Sequence, residues 1–182
     1  MADRDTATGE LGLVQAFVNT VDLQDGPELL PDADALREWL VANDLMAAGA
    51  AVDDADLKHA RAVREAMRAV VGGNSGLPVY PVELATLNEA ATASRLRVRF
   101  GPGGPRLEPE AGGAVGALGR LVVSLYSAMQ SDDWHRLKLC GADTCRWVFY
   151  DRSKNQSSRW CTMASCGNRA KARRFRTKKA RS

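Results

Sequence analysis

The chain has four cysteines, and all of them fall close together: Cys140, Cys145, Cys161 and Cys166. The pattern is C-x4-C, fifteen residues, then C-x4-C. Two short-spaced thiol pairs joined by such a gap suit a structural zinc site. Each pair forms one jaw on a tight turn, and zinc accepts four thiolates tetrahedrally without redox chemistry of its own. Four protein ligands leave no coordination position open, so such a metal holds the fold and does not catalyse. An iron–sulfur centre uses the same ligand type. Paired disulfides and four unpaired structural thiols are the other readings, and an intracellular setting argues against the disulfides.

A four-thiolate zinc site carries a charge of −2, which Arg146, Arg152, Lys154, Arg159 and Arg169 are placed to offset. The basic run continues well past Cys166, so it has a further use. From Trp134 onward the chain holds 14 Lys and Arg against two acids, Asp143 and Asp151, for a net +12. The preceding 133 residues hold 11 basic and 20 acidic residues, for a net −9. The total of +3 over 182 residues conceals this division. A segment of such charge suits a polyanion. The division places a domain boundary near Asp133, with an acidic domain over 1–133 and a basic zinc module over 134–182. A fold in which the acidic domain lies over the basic helix and restrains it is one expectation.

The elements that position these residues read as mainly α, in an α+β arrangement. Leu11 to Val21 has Leu13, Phe17 and Val21 at helical spacing. Asp32 and Asp34 offer caps for a helix carrying Leu36, Trp39 and Leu40 and ending near Gly49. Asp53, Asp54 and Asp56 open a longer helix with Leu57, Ala60, Val63, Met67, Val70 and Val71 on one face, stopped by Gly72-Gly73. Pro81 begins another. Arg95 to Phe100 alternates strictly, which predicts a half-buried strand with an arginine face, and Arg106-Leu107-Glu108 returns as a hairpin. The clearest helix follows Gly112-Gly113, with Val115, Leu118, Val122, Leu125, Tyr126 and Met129 as its stripe. Gly113, Gly116 and Gly119 lack the context of a phosphate loop and suit close helix packing.

The residues around the cysteines form a recognisable set: Cys140 to Cys145, Phe149-Tyr150-Asp151-Arg152-Ser153, Arg159-Trp160-Cys161 and Cys166-Gly167-Asn168-Arg169-Ala170-Lys171. This set resembles the CGNR zinc finger, named for the tetrad at Cys166 to Arg169. The resemblance implies that the four cysteines bind zinc in a treble-type finger and that the finger contacts DNA. The N-terminal part resembles the ABATE domain, a stress-related transcription regulator, through Phe17-Val18-Asn19-Thr20 and Leu36-Arg37-Glu38-Trp39-Leu40. Many relatives carry an acid just before the Phe-Val-Asn-Thr segment; here Ala16 stands there.

Asn168 to Arg181 holds strong helix formers and no Pro or Gly, with Asn168 or Ser165 as its cap. Arg169, Arg173 and Arg176 share one face; Lys171, Arg174 and Lys178 share the next. Phe175 and Ala172 are expected to pack back on the finger. The loop at 151–159 adds Arg152, Lys154 and Arg159 for backbone contacts. DNA is the expected partner. RNA is the alternative, with Trp147, Phe149, Tyr150 and Trp160 stacking on bases, although a small core around the zinc is the favoured use of these aromatics. A protein-binding adaptor with a purely structural zinc is a further alternative. Asn19 and Thr20, with Asp22, either line a ligand pocket or cap the chain, and capping is favoured. A small-molecule or protein signal would act at that domain. His59 and His135 join no nucleophilic arrangement, so no enzyme is expected. The N-terminal residues lack a secretory pattern and Leu118 to Met129 is too short to span a bilayer, which implies a cytoplasmic protein with no membrane partner.

Overall fold

The computed structural model describes residues 6–24 and 26–179, with the side chains of Arg174, Lys178 and Lys179 outside the description. The order is α1 (Gly9–Val18), α2 (Ala33–Ala42), α3 (Asp54–Gly73), α4 (Pro81–Ala93), β1 (Leu96–Gly101), β2 (Gly104–Pro109), α5 (Gly113–Met129), β3 (Leu137–Leu139), β4 (Val148–Tyr150) and α6 (Asn168–Lys179). Helix accounts for 51% and strand for 12%, so the mainly α reading holds. Two antiparallel hairpins, β1–β2 and β3–β4, supply the sheet.

Local chemistry explains most of the boundaries. The Asp32 carboxylate accepts from Ala35 N at 2.8 Å and starts α2. Asp53 and Asp56 form a reciprocal capping box that starts α3. Pro81 occupies the first position of α4, where its missing N–H costs nothing. Helix α2 stops at Ala42, well short of Gly49, because the Asn43 side chain donates to Trp39 O and Asp44 turns left-handed at φ 57°.

Burial corrects three faces. In α1 the buried apolar residues are Val14, Phe17 and Val18, while Val21 lies beyond the helix and bridges to Glu28. In α5 the buried stripe is Ala114, Ala117, Leu118, Leu121, Leu125 and Ala128, and Tyr126 and Met129 are exposed. Small residues face inward there because α5 packs closely. A Cβ on Gly119 would meet Ser94 Cβ at 2.4 Å, which bears out close packing for that glycine; one on Gly113 would meet nothing within 4 Å, and Gly113 instead takes a left-handed φ of 59°. Strand β1 is not half-buried: from Arg97 onward it is exposed on both faces.

The main core does not stop at Asp133. Trp134, Leu137, Leu139 and Val148 are buried in the same cluster as Val14, Phe17, Val63, Met67, Val71 and Leu118. The β3–β4 hairpin, which carries the first cysteine pair, is therefore packed into the helical half.

Candidate metal centre and basic helix

Each cysteine pair sits on a turn built by its own backbone. Strand β3 runs into Cys140, whose N–H donates to Trp147 O at 2.9 Å, and Cys145 N–H donates to Ala142 O at 2.8 Å. The knuckle closes through Arg146, which adopts a left-handed φ of 47°. Gly141 N–H donates to Arg159 O at 2.8 Å and ties the first turn to the second. A Cβ at Gly141 would crowd that same oxygen at 3.1 Å. The second pair spans a wide helical turn, Met163–Gly167, capped by the Thr162 hydroxyl, which accepts from Ser165 N. Thr162, rather than Asn168 or Ser165, is thus the cap, because the turn carrying Cys166 runs directly into α6.

All four sulfurs lie within 4.8 Å of one another, and all four residues are buried. Cys161 Sγ stands 3.7 Å from both Cys145 Sγ and Cys166 Sγ. A tetrahedral zinc site with bonds of about 2.3 Å has edges of about 3.8 Å, so the cage fits the metal. A disulfide needs sulfurs about 2.05 Å apart, which excludes that reading for these pairs. One tetrahedron of this size encloses a single ion and not a cluster. Protonation chemistry agrees. Thiol hydrogen bonds from Cys145 and Cys161 hold Cys140 down at about 2, while the bond to Cys140 pushes Cys145 up to about 12 and pushes Cys161 upward too. A cation at the centre would offset this mutual disfavour among the thiolates. The site is that of one structural zinc, held by Cys140, Cys145, Cys161 and Cys166.

A second shell of packing supports the sulfurs. Phe149 is buried in one cluster with the four cysteines, and Trp147 and Trp160 pack half-buried against it. The Arg159 guanidinium stacks over Trp160, 5.7 Å from the ring centre. These aromatics form the small core, as favoured from sequence. Phe175 does not join it: it is 72% exposed, and Ala172 is exposed as well. The zinc core is already filled from Phe149, Trp147 and Trp160, and α6 packs mainly on the Met163–Gly167 turn.

The basic residues take different positions. Arg169 turns back, donating to Cys166 Sγ at 3.0 Å and to the Gln24 side chain of the helical half. It therefore offsets thiolate charge. Arg152 donates to Thr6 O at 2.8 Å and lies over the Tyr150 ring. Asn168 donates to Ala164 O at 3.2 Å. Lys154, Lys171, Arg173 and Arg176 are exposed, and Arg173 reaches Asp143 only at 4.0 Å. Arg174 and Lys178 were also expected at this surface; their side chains lie outside the described residues. Gln24 of the acidic half meets Arg169 at the root of α6, while Lys171, Arg173 and Arg176 stay exposed and the hairpin is packed into the helical core.

Asp151 organises the loop that carries Arg152, Lys154 and Arg159. Its buried carboxylate accepts from Lys138 Nζ at 2.8 Å, Ser153 N at 2.9 Å and Ser158 N at 3.0 Å. Burial pushes its pKa upward, but the Lys138 and Ser153 bonds outweigh this and hold it below the ordinary carboxylate range. A depressed folded pKa stabilises the fold above the unfolded value of 3.8, and that stability is lost as pH falls through the lower folded value. Asp151→Asn is expected to cost about 2 kcal/mol at pH 7. In urea titrations the gap from the native chain should narrow below pH 4; a gap that stays constant with pH refutes the charged role.

The Asn19 amide makes a two-way clasp on β4. Its Nδ2 donates to Val148 O at 2.7 Å, and Val148 N–H donates to its Oδ1 at 2.9 Å. Gln15 Nε2 adds a bond to the same carbonyl at 3.1 Å. Thr20 is buried; its hydroxyl donates to Phe17 O and accepts from Arg64. Asn19 also borders a cavity of about 550 Å³ with Ala16 and Trp147. Sequence reasoning missed Gln15, Arg68, Asn74 and Ser75. Asn74 Nδ2 donates to Trp134 O and Leu137 O, and the Ser75 hydroxyl exchanges bonds with Leu139. The Asn-Ser after Gly72-Gly73 looks only like a helix stop. No pattern along the chain marks it as a grip on a distant strand.

Among the described residues no helix is long and apolar enough to cross a membrane. No curated protein is detectably similar to the chain. Two family models do match, one over each part of the chain. One, ABATE, is described as "Putative stress-induced transcription regulator" and covers residues 11–130; the other, the CGNR zinc finger, covers 136–179. With the four sulfurs of the finger caged and its hairpin gripped by the helices ahead of it, the chain belongs to the ABATE family and carries a CGNR zinc finger at its C-terminal end.

Proposed function

We propose that the protein is a DNA-binding transcription regulator in which α6 and the 151–159 loop engage the duplex and the N-terminal domain receives a signal or mediates assembly. One observation carries this reading. A helix without a single acidic residue projects from a metal-fixed turn and exposes Lys171, Arg173 and Arg176. Zinc at its root restricts the angle at which the helix approaches a groove. Guanidinium forks suit phosphate oxygens and guanine edges. Lys154 on the loop and Lys171 on the helix add backbone contacts, and Arg169 contributes by neutralising Cys166. In this reading the protein works by binding, and its metal, with four cysteine ligands, keeps no open coordination position.

Fluorescence anisotropy with random-sequence duplex over a salt series tests the reading. About five phosphate contacts give a log–log slope of roughly −4 to −5. Replacing Lys171, Arg173 and Arg176 together with Gln should make the slope shallower by about 3 and weaken binding about 100-fold or more near 100 mM salt. An unchanged slope in that variant overturns the assignment of α6. Tighter binding to single-stranded RNA at equal salt favours the RNA reading instead, though packing of Trp147 and Phe149 on the cysteines argues against base stacking there.

A further inference from the structure

The β1–β2 hairpin is unlike the rest of the helical half. Strand β1 pairs with β2 along its whole length, and β2 in turn rests on α5. Residues paired across an antiparallel ladder point to the same face. Arg97 pairs with Glu108 and Arg99 with Arg106, so three arginines share one face. Val98 pairs with Leu107 and Phe100 with Pro105, so the opposite face is apolar. Among the described residues neither face is covered toward the tip of the ribbon, while Leu107 nearer α5 is half-buried. Val98 is 56% exposed and Phe100, beside the Pro102-Gly103 turn, is 85% exposed.

An exposed Val and Phe on an unpaired ribbon are an aggregation hazard unless they meet a partner. The chemistry of the two faces defines that partner. It must present anions to the arginines and an apolar slot to the tip. A nucleic-acid groove offers both, with phosphates along its rims and base steps that accept an apolar wedge. A two-stranded ribbon is also narrow enough to enter a groove. Arg97 pairs with Glu110 at 2.9 Å and Arg99 with Glu108 at 3.2 Å. All four groups are at least partly exposed, and such pairs contribute little stability, so phosphates compete for these arginines. With Arg95 and Arg106 the ribbon keeps a net +2 after its two glutamates are counted.

We propose that the β1–β2 ribbon is a second DNA-binding element, its Arg97, Arg99 and Arg106 face lying on phosphates and Phe100 wedging between bases to bend the duplex. The proposal rests on the reading of the chain as a DNA binder, but it comes from a different element and a different kind of contact.

The test uses the zinc-loaded full chain and a duplex with a fluorescence donor and acceptor at its two ends. The native protein bends the duplex and brings the dyes together. Replacing Arg97, Arg99 and Arg106 with Gln should make the salt slope shallower by about 2 and weaken binding about 100-fold near 100 mM salt. Phe100→Ala should abolish the bend while binding weakens only a few-fold. Both sites are at the surface, so melting temperatures should match the native chain. Ribbon variants that bind and bend as the native protein does overturn the ribbon proposal and leave α6 standing. A native chain that binds no duplex overturns both. A native chain whose mass doubles with concentration, and stays single after Phe100→Ala, assigns the apolar face to a second copy and overturns the wedge.

Discussion

Removing the metal unfolds the finger and lowers the melting temperature of the helical domain by about 10 °C. The first half of this follows from the sulfur cage. The four buried sulfurs lie within 4.8 Å of one another around the metal position, and structural zinc contributes about 10–16 kcal/mol to small domains of this type. The second half follows from the shared core. Leu137, Leu139 and Val148 belong to the hairpin that opens the finger, yet they are buried among Val14, Phe17, Met67 and Val71. When the cage opens, β3 and β4 keep three paired residues, the Cys140–Trp147 backbone bond and the Lys138–Asp151 pair, but the cysteine turns that close the hairpin lose their anchor. Fraying of that hairpin uncovers apolar side chains worth about 1.5–3 kcal/mol each. For a chain of this size each kcal/mol shifts melting by about 2–4 °C, so losing part of this burial gives the expected drop. Calorimetry before and after chelation, together with metal analysis, checks it. The native protein should hold one zinc per chain and melt in one transition. Cys161→Ser should hold none and melt early. A helical transition that stays put after chelation refutes the coupling and makes the finger an independent bead.

The cysteine spacing was legible because metal ligands are few in type and local in sequence. Helix starts at Asp32, Asp53 and Pro81 were legible for the same reason, since a cap acts over three residues. The inner face of α5 was not. Its stripe runs through Ala114, Ala117 and Ala128, which the hydrophobic pattern undervalues beside Tyr126 and Met129. Close packing decides that face, and small residues permit it. The β1–β2 strand pattern was read correctly as a hairpin but wrongly as half-buried. Alternation predicts two unlike faces and says nothing of whether either is covered. The grip between the halves was invisible because it uses Gln15, Asn19, Asn74 and Ser75, polar residues whose partners lie 60 or more positions away. Asn19 was noticed only as a member of a polar cluster, where capping and ligand binding were the local options.

Arg68 is the residue whose loss the seam between the two halves should feel most. It is 1% exposed, in the middle of α3, at a position where the helical pattern calls for a solvated charge. Its Nη2 donates to Val18 O at 2.6 Å, at the end of α1, and its Nη1 to Arg146 O at 2.9 Å, inside the zinc knuckle. Its Nε pairs with Glu65 at 2.9 Å, which also pairs with Arg64. One guanidinium therefore joins α1, α3 and the finger. Burial disfavours its charge, and the Glu65 carboxylate only partly compensates. Arg68→Ala leaves two carbonyls without this donor, opens a cavity and strips Glu65 of a partner, which should cost about 3–5 kcal/mol. Arg68→Met refills the volume but restores no donor, so it should recover only part of that loss. Arg68→Lys restores charge but cannot reach both carbonyls with a planar fork, and should also fall between. Urea unfolding of the zinc-loaded variants measures the order, and metal analysis at each step separates a weakened seam from a lost metal. Met at this site matching the native chain would mean that packing alone holds the seam. Met and Lys both falling well below the native chain, with zinc still bound, would show that the hydrogen-bond fork of Arg68 carries the mechanical link from the helical domain to the finger.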